Sequence, residues 1–181
     1  MRWISVSALA FCAARGLLAG PPVPRPAQEI AIETPQGKLS APSAFRGKVV
    51  VMQFLYTTCT HCQVTARMLS GLERELGLRG LQVVGIAFNE EAQNTLDAVQ
   101  GFLASNQVNF PVGAASREAV MKYLGISVME RFVVPQIVIV DRSGVIRAQS
   151  DFMGTSELQD EAYLRRFIGG LLEKATIPSK P

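Results

Sequence analysis

The sequence predicts an α/β fold with a central mixed β-sheet flanked by helices on both faces. Apolar, β-branched runs of strand length alternate with segments of helical periodicity along most of the chain. Strands that alternate with helices favour a covered sheet containing parallel pairs. Near the end, residues 141–144 form a turn sequence between two such runs, which adds an antiparallel edge. The predicted order, after an N-terminal hairpin, is β-α-β-α-β-α-β-β-α.

The predicted strands begin with a short hairpin. It occupies residues 30–39, with its turn at Pro35-Gln36-Gly37. The seven apolar or amide residues 49–55 follow and are typical of a strand buried on both faces. Further strands are predicted at residues 81–88, 110–112, 136–140 and 145–150.

Four helices are predicted from apolar spacing and from capping residues. The first follows Cys62 and ends near Gly77 and Gly80. The third begins at a Ser116 cap and ends at Gly125, and a capping box of Ser156 and Gln159 begins the fourth. The residues predicted to face the core are Val64, Met68, Leu69, Leu72 and Leu76 in the first helix, Leu96, Val99, Phe102 and Leu103 in the second, and Leu164, Phe167, Ile168 and Leu171 in the fourth.

The composition indicates one globular domain with a substantial core. The chain has 181 residues, of which 48% are hydrophobic, and a net charge of only +3. No basic run or basic patch with interleaved aromatics is present, so the sequence gives no support to nucleic-acid binding. We assign residues 30–175 to the domain and residues 21–29, which contain four prolines, to an extended linker.

Residues 1–20 are predicted to be a secretory signal peptide or membrane anchor. Arg2 precedes a mostly apolar stretch, and small residues at the end of the segment suit cleavage near Gly20. The stretch is short for a transmembrane helix, and Arg15 interrupts it. An uncleaved anchor, a lipid anchor at Cys12 and a misassigned start codon are the alternatives. The predicted location is extracytoplasmic, either periplasmic or secreted, with or without a membrane tether.

The cysteines point to redox chemistry. Cys12 lies in the leader, so the mature chain would keep only Cys59 and Cys62, in the sequence Cys59-Thr60-His61-Cys62. A Cys-x-x-Cys pair between a strand and a helix is typical of a redox motif. Incidental pairing is the first alternative. A metal site is the second, although three ligands within four residues fit poorly around one ion.

The position of the motif predicts unequal roles for the two thiols. Cys59 would lie at a helix N-terminus, where unpaired backbone N–H groups favour the thiolate over the thiol. Protonated His61 would add a positive charge beside it. Cys62, one turn into the helix, would be buried and would resolve the mixed disulfide formed at Cys59. No cofactor is expected other than the redox-active Cys59–Cys62 disulfide itself, and no metal.

Three motifs together resemble the thioredoxin superfamily. They are the lead-in Phe45-Arg46-Gly47-Lys48 with the strand after it, the Cys59-x-x-Cys62 pair, and Val134-Pro135 followed by an apolar strand and Asp141-x-x-Gly144. The combination is most similar to the extracytoplasmic TlpA/ResA-like thiol–disulfide oxidoreductases and extends over residues 30–172. The resemblance implies a thioredoxin-like fold, a dithiol enzyme that acts as a protein-disulfide reductase or oxidase, and protein partners with an electron donor or acceptor among them.

The resemblance also implies roles for single residues. Cys59 matches the nucleophile, Cys62 the resolving cysteine, and Pro135 the cis-proline that faces the dithiol and orients thiol substrates. Tyr56 matches an aromatic position, and Gln53 stands where cytoplasmic thioredoxins carry a buried carboxylate.

The departures from the family pattern leave the redox direction open. Thr60-His61 lacks the proline of common versions, and its histidine is similar to that of the oxidase DsbA. The approach to Pro135, residues 127–133, is longer than in many members. Glu130 and Arg131 in it are interpreted either as a partner contact or as a solvated turn.

Two other functions use related folds. A peroxiredoxin-like peroxidase would carry a threonine three residues before its reactive cysteine, where this chain has Tyr56. A copper-binding or copper-delivery module would need a wider cysteine spacing and a distant histidine, and His61 is the only histidine.

Overall fold

The computed structural model describes residues 21–88, 96–127 and 129–174, and it confirms the predicted fold class. One mixed sheet carries helices on both faces. The strands are β1 (Arg25–Pro26), β2 (Ile30–Thr34), β3 (Gly37–Ala41), β4 (Val49–Leu55), β5 (Leu81–Ala87), β6 (Val112–Ala114), β7 (Gln136–Val140) and β8 (Val145–Gln149). The helices are α1 (Thr60–Leu76), α2 (Leu96–Asn106), α3 (Arg117–Leu124) and α4 (Glu161–Lys174).

The eight strands lie in the order β1-β8-β7-β4-β5-β6-β2-β3. The pairs β4–β5 and β5–β6 are parallel, and α1 and α2 provide their crossovers. The remaining pairs are antiparallel. After β6 the chain crosses back to the other side of β4 through α3, so β7 becomes the antiparallel neighbour of β4.

The two faces of the sheet are covered differently. All seven residues of β4 are buried, and their side chains alternate between the faces. The face that we call the α1 face packs against α1, α2 and α4, with Leu69, Phe102 and Leu164 among its buried residues. The α3 face packs against α3 and residues of the β2–β3 hairpin.

Most sequence predictions of element boundaries agree with the structure. The hairpin, β4, β5, β7 and β8 lie within two residues of their predicted limits. Ser116 caps α3 by accepting a hydrogen bond from the Ala119 N–H at 3.1 Å, and Gly125 ends it with a positive φ of 67°. The predicted strand at residues 110–112 begins instead at Val112.

Several packing predictions were wrong. Val64 is 54% exposed, because the buried stripe of α1 runs through Cys62, Thr65 and Leu69 rather than through Val64. The N-terminal residue of α2, Leu96, is 40% exposed. In α4 the buried residues are Leu164, Ile168 and Leu172, whereas Phe167 and Leu171, which were predicted to be buried, are only partly buried. Met68 of α1 and Leu103 of α2 are also partly buried and pack against the core, as their positions in the apolar patterns indicate.

The predicted capping box at the start of α4 was also wrong. Residues Ser156–Gln159 form a separate turn of 3-10 helix. Asp160 instead caps α4: its carboxylate accepts the Tyr163 N–H at 2.7 Å, and its carbonyl accepts the Leu164 N–H at 3.0 Å. An Asp directly before the first helical residue therefore takes the role assigned to Ser156.

The Pro-rich segment before the hairpin packs against the sheet. Arg25–Pro26 pairs with β8, and the Ala27 N–H donates to the Gly144 carbonyl at 2.9 Å. The Arg25 guanidinium hydrogen-bonds the Gln149 side chain. The predicted leader, residues 1–20, lies outside the described residues. Of the helices that the structure describes, none combines the length and apolarity needed to span a bilayer.

Candidate active site

The Cys-x-x-Cys pair lies at the end of β4, where the chain turns into α1. The turn is closed by the Cys59 N–H, which donates to the Tyr56 carbonyl at 3.1 Å. Cys59 has an extended backbone and is the N-cap of α1, and its Sγ accepts the Cys62 N–H at 3.2 Å. The sulfur therefore occupies the place of a capping oxygen and receives one of the free N–H groups of the helix start.

The two thiols differ in exposure. Cys59 is half-buried, whereas Cys62 is completely buried, and both are free cysteines. Burial raises the pKa of the Cys62 thiol well above its ordinary value, and a hydrogen bond with Cys59 adds to the rise. The exposed fraction and the helix geometry thus make Cys59 the sulfur that a second molecule can reach.

The loop before β7 forms the other side of the site. The Val134–Pro135 peptide is cis, and the Cys59 thiol lies 3.9 Å from the Val134 carbonyl oxygen, to which it donates. Buried Gln136 holds this loop, because its amide donates to the Val133 carbonyl at 2.7 Å. The Val133 N–H in turn donates to the Phe152 carbonyl at 2.9 Å.

The Gln53 side chain links β4 to the first turn of α1 by a hydrogen bond at Cys62. Its side chain is fully buried, and its Nε2 donates to the Cys62 carbonyl at 2.8 Å. The structure thus brings Gln53, Cys59 and Cys62, which are close in sequence, together with the Val134-Pro135 loop, which is about 70 residues away from Cys62.

His61 and Thr60 are exposed at the first turn of α1. Among the side-chain hydrogen bonds and ion pairs of the described residues, none includes the His61 imidazole. Of the residues predicted to support the site, these two therefore face solvent beside the dithiol.

A groove that the sequence did not predict lies next to the dithiol, and Tyr56 is one of its lining residues. The groove has a volume of about 390 Å³ and lies beside the Val133–Val134 loop. Its lining comes from the end of β4, the start of α3, the loop before β7 and the loop after β8: Tyr56, Arg117, Glu130, Arg131, Phe132, Val133 and Met153. Sequence reasoning singled out Tyr56, Glu130 and Arg131 but missed Arg117, Phe132 and Met153, because no motif links them.

Aromatic rings form one wall of this groove. The rings of Tyr56 and Phe88 lie 4.8 Å apart between centroids, and those of Phe88 and Phe132 lie 6.0 Å apart. The Arg117 guanidinium covers Phe132 at 5.1 Å from the ring centroid and donates to the Tyr56 hydroxyl at 2.7 Å. Arg117 is therefore held in place at the groove by an aromatic face and a phenol.

Metal binding has no ready set of ligands in the part of the chain that the structure describes. No three His, Cys, Asp or Glu side chains are grouped there in a way suited to an ion.

Residues 23–149 match the model of the AhpC/TSA family. The matched range is more than half of the chain and includes β4, both cysteines and Pro135. A comparison with curated proteins gave no match.

The fold is similar to solved structures of thiol:disulfide interchange proteins. One from Chlorobium tepidum is 22% identical, with a TM-score of 0.66, covering 84% of this chain and 99% of the other. One from a Bacteroides species is 19% identical, with a TM-score of 0.62, covering 84% and 94%. A secreted disulfide oxidoreductase of Mycobacterium tuberculosis is 17% identical, with a TM-score of 0.59, covering 78% and 96%.

At these identities the likeness establishes the fold, and with the family match it confirms the resemblance to the thioredoxin superfamily. Together with the family match over more than half of its length, it identifies the chain as a thioredoxin-fold protein that belongs to the AhpC/TSA family.

Proposed function

We propose that this protein is a thiol–disulfide oxidoreductase that exchanges disulfides with protein partners outside the cytoplasm. The observation that carries the proposal is the unequal placement of the two thiols. Cys59 is the accessible N-cap of α1, and Cys62 is buried one turn further along the same helix. An accessible nucleophile with a protected second thiol within reach is what two-step disulfide exchange requires.

In the first step the Cys59 thiolate attacks one sulfur of a partner disulfide. A bond forms between Cys59 and that sulfur, the partner S–S bond breaks, and the other partner sulfur leaves with the electron pair and takes a proton from water. The Cys62 N–H, 3.2 Å from the Cys59 sulfur, stabilises the attacking thiolate.

In the second step Cys62 loses its proton and attacks Cys59. The Cys59–Cys62 disulfide forms, and the partner is released as a dithiol. Because burial raises the pKa of Cys62, this thiol stays protonated until the mixed disulfide places a sulfur electrophile beside it. The same steps in reverse oxidise a partner dithiol. After either reaction, a second protein must return Cys59 and Cys62 to their starting redox state.

The extracytoplasmic location rests on the leader and on the solved relatives. Residues 1–20 have the features of a signal peptide or anchor, and the Mycobacterium tuberculosis relative is described as secreted. Fractionation of cells that make the full chain, with Cys12→Ser as the variant that removes a lipid anchor, tests the location and the tether separately.

The decisive experiment is covalent trapping with Cys62→Ser. Without a resolving thiol, partners remain joined to Cys59, and they are released by a reductant. Cys59→Ser is the matched control and should trap nothing. Trapping by Cys59→Ser but not by Cys62→Ser would reverse the assigned roles.

Peroxide consumption tests the alternative peroxidase activity. Tyr56 stands where that activity would need a threonine hydroxyl, and its own hydroxyl accepts a hydrogen bond from Arg117. We expect insulin-type disulfide reduction by the reduced protein to exceed its consumption of hydrogen peroxide. Fast peroxide turnover that depends on Cys59 would instead favour the peroxidase, and copper bound by Cys59 and Cys62 would favour the delivery module.

A further inference from the structure

The groove beside the dithiol carries more positive than negative charge. Two arginines and one glutamate line it. The Glu130 carboxylate is already engaged, because it accepts the Ser127 N–H at 2.6 Å within its own loop. This carboxylate keeps its charge, so the groove has a net charge of +1, and the excess positive charge that it offers to a second molecule comes from the guanidinium groups of Arg117 and Arg131.

Neither arginine is neutralised within the described residues. The ion pairs found there are Lys38–Glu33, Arg79–Glu173, Arg147–Asp141, and Arg165 with both Glu75 and Glu161, and none includes Arg117 or Arg131. The Arg117 guanidinium is instead positioned by the Tyr56 hydroxyl and the Phe132 ring. A fixed guanidinium is a good site for a carboxylate, because its planar donors need no further ordering.

Apolar side chains complete the groove and project from the protein. Val133 is 39% exposed, Met153 is 62% exposed, and Met129 in the same loop is 88% exposed. Exposed methionines adapt to varied apolar surfaces, and clustered exposed apolar groups mark binding sites.

We propose that the groove selects partner proteins whose reactive cysteine is accompanied by an acidic residue. This inference rests on the proposed function, since it assumes that the partner cysteine lies at Cys59. Tyr56 lies three residues before Cys59, and Val133 adjoins Val134, whose carbonyl contacts the Cys59 sulfur. An extended peptide advances about 3.3–3.6 Å per residue, so a residue two or three positions from the bound cysteine lies about 7–11 Å away from it. We expect this separation to bring the residue to the groove, which begins beside Tyr56 and Val133.

The test measures the preference of the protein among cysteine peptides. The peptides have blocked termini, carry a neutral thiopyridyl group on the cysteine sulfur, and differ only in Glu, Gln or Lys at the positions two and three residues away. Cys59 bonds to the peptide sulfur, and the peptide-S–S-pyridyl bond breaks. Thiopyridine leaves with the electron pair and a proton and is followed by its absorbance. Cys62 then releases the peptide as a thiol.

The protein is reduced beforehand, and each molecule reacts once, ending as the Cys59–Cys62 disulfide. We expect the wild-type second-order rate constant of thiopyridine release to be highest for the Glu peptide, by about threefold to fivefold over the Gln peptide at low salt, as for a single partly exposed ion pair. Arg117→Gln and Arg131→Gln should each reduce this ratio, and the double variant should bring it to about one. Arg117→Lys should keep only part of the preference, since the charge remains but the planar donors and the contact with the Phe132 ring are lost. The ratio should also fall as salt is added.

Arg166→Gln is the matched control. Arg166 is an exposed arginine of α4, on the opposite face of the sheet, and its removal changes the net charge equally. Equal rates for the three peptides, or a Glu preference that falls in Arg166→Gln as much as in Arg117→Gln, would overturn the proposed selectivity. A reaction with the Gln peptide in every variant would still support the proposed function, whereas failure with all peptides would overturn the function itself.

Discussion

The two faces of the sheet contribute different parts of the candidate site. Cys59 and Cys62 belong to the α1 face, where three helices cover the strands. Tyr56 and Phe132 belong to the α3 face, where one helix and several loops provide the cover. The turn that joins β4 to α1 brings the two parts together, because it carries Tyr56 and Cys59 only three residues apart.

In the proposed function, the α1 face carries the thiols that exchange disulfides, and the groove on the α3 face selects the partner. The sulfurs are fixed by a helix start and a closely packed core, which leave little freedom in their distance or exposure. The groove is built mostly from loop and helix-end residues, whose side chains can change with little effect on the core.

The largest expected effect is the loss of catalysis when either sulfur is removed. Cys59→Ser should abolish both turnover and adduct formation, and Cys62→Ser should abolish turnover but accumulate mixed disulfides. Mass spectrometry of the protein after incubation with oxidised glutathione distinguishes the two results. Adducts on Cys62 in the Cys59→Ser variant, despite the complete burial of Cys62, would show that the α1 face opens in solution.

A pair of truncations compares the two faces directly in stability. Leu69→Ala removes a fully buried side chain from the α1 face and should lower the free energy of unfolding by about 2–5 kcal/mol. Met153→Ala, in the groove and 62% exposed, should change it by no more than about 0.5 kcal/mol. Urea titrations of the reduced proteins measure both. Similar decreases in the free energy of unfolding for the two variants would show that the groove contributes as much to stability as the α1 face does.

The raised pKa of Cys62 predicts that the reduced protein loses stability at alkaline pH. Below the ordinary thiol pKa of 9.0, the Cys62 thiol is protonated in both the folded and the unfolded chain. In this range the neutral, buried thiol makes its full contribution to the free energy of unfolding. Above it the unfolded chain releases the proton while the folded chain keeps it, so the free energy of unfolding falls by about 1.4 kcal/mol per pH unit.

The comparison that isolates this effect is wild type against Cys62→Ala between about pH 8 and pH 10, the window that spans the ordinary thiol value. The variant lacks the titrating group, so its stability should fall less steeply with pH. If the free energy of unfolding fell equally with pH in the two proteins, Cys62 would ionise as easily in the folded protein as in the unfolded chain.

The smallest expected effect concerns His61 and the redox potential. A protonated imidazole beside Cys59 stabilises the thiolate, which exists only in the reduced form, and so raises the potential. Because His61 is exposed and bonded to no described residue, His61→Gln should lower the potential by only about 20 mV or less. Glutathione redox titrations of the wild type and of His61→Gln measure the difference. Equal potentials for the two proteins would leave His61 without an electrostatic role.

The reactive part of the site was predictable because it is local in sequence. Cys59 and Cys62 occupy one helix turn directly after a strand, and both β4 and α1 have strong apolar patterns. The α3 face was harder to predict. Arg117 and Phe132 are 15 residues apart and meet only because α3 returns the chain across the sheet. No periodicity encodes such a contact.

The errors in packing have equally specific causes. The buried stripe of α1 uses Thr65 and Ser70, polar residues that a hydrophobic pattern does not count. Asp160 caps α4 because the capping-box residues had already formed a separate 3-10 turn. Asp is as favourable an N-cap residue as Ser, so residue preference alone does not locate the start of this helix.

The short strand β1 has a consequence for the behaviour of the protein at high concentration. An open sheet edge offers unpaired N–H and C=O groups to any other chain, which invites aggregation. Arg25–Pro26 lies along β8 at Val145 and Ile146, and Pro26 has no N–H to offer outward. A proline-containing strand of two residues therefore ends the sheet on this side and gives a second molecule little to pair with at this edge.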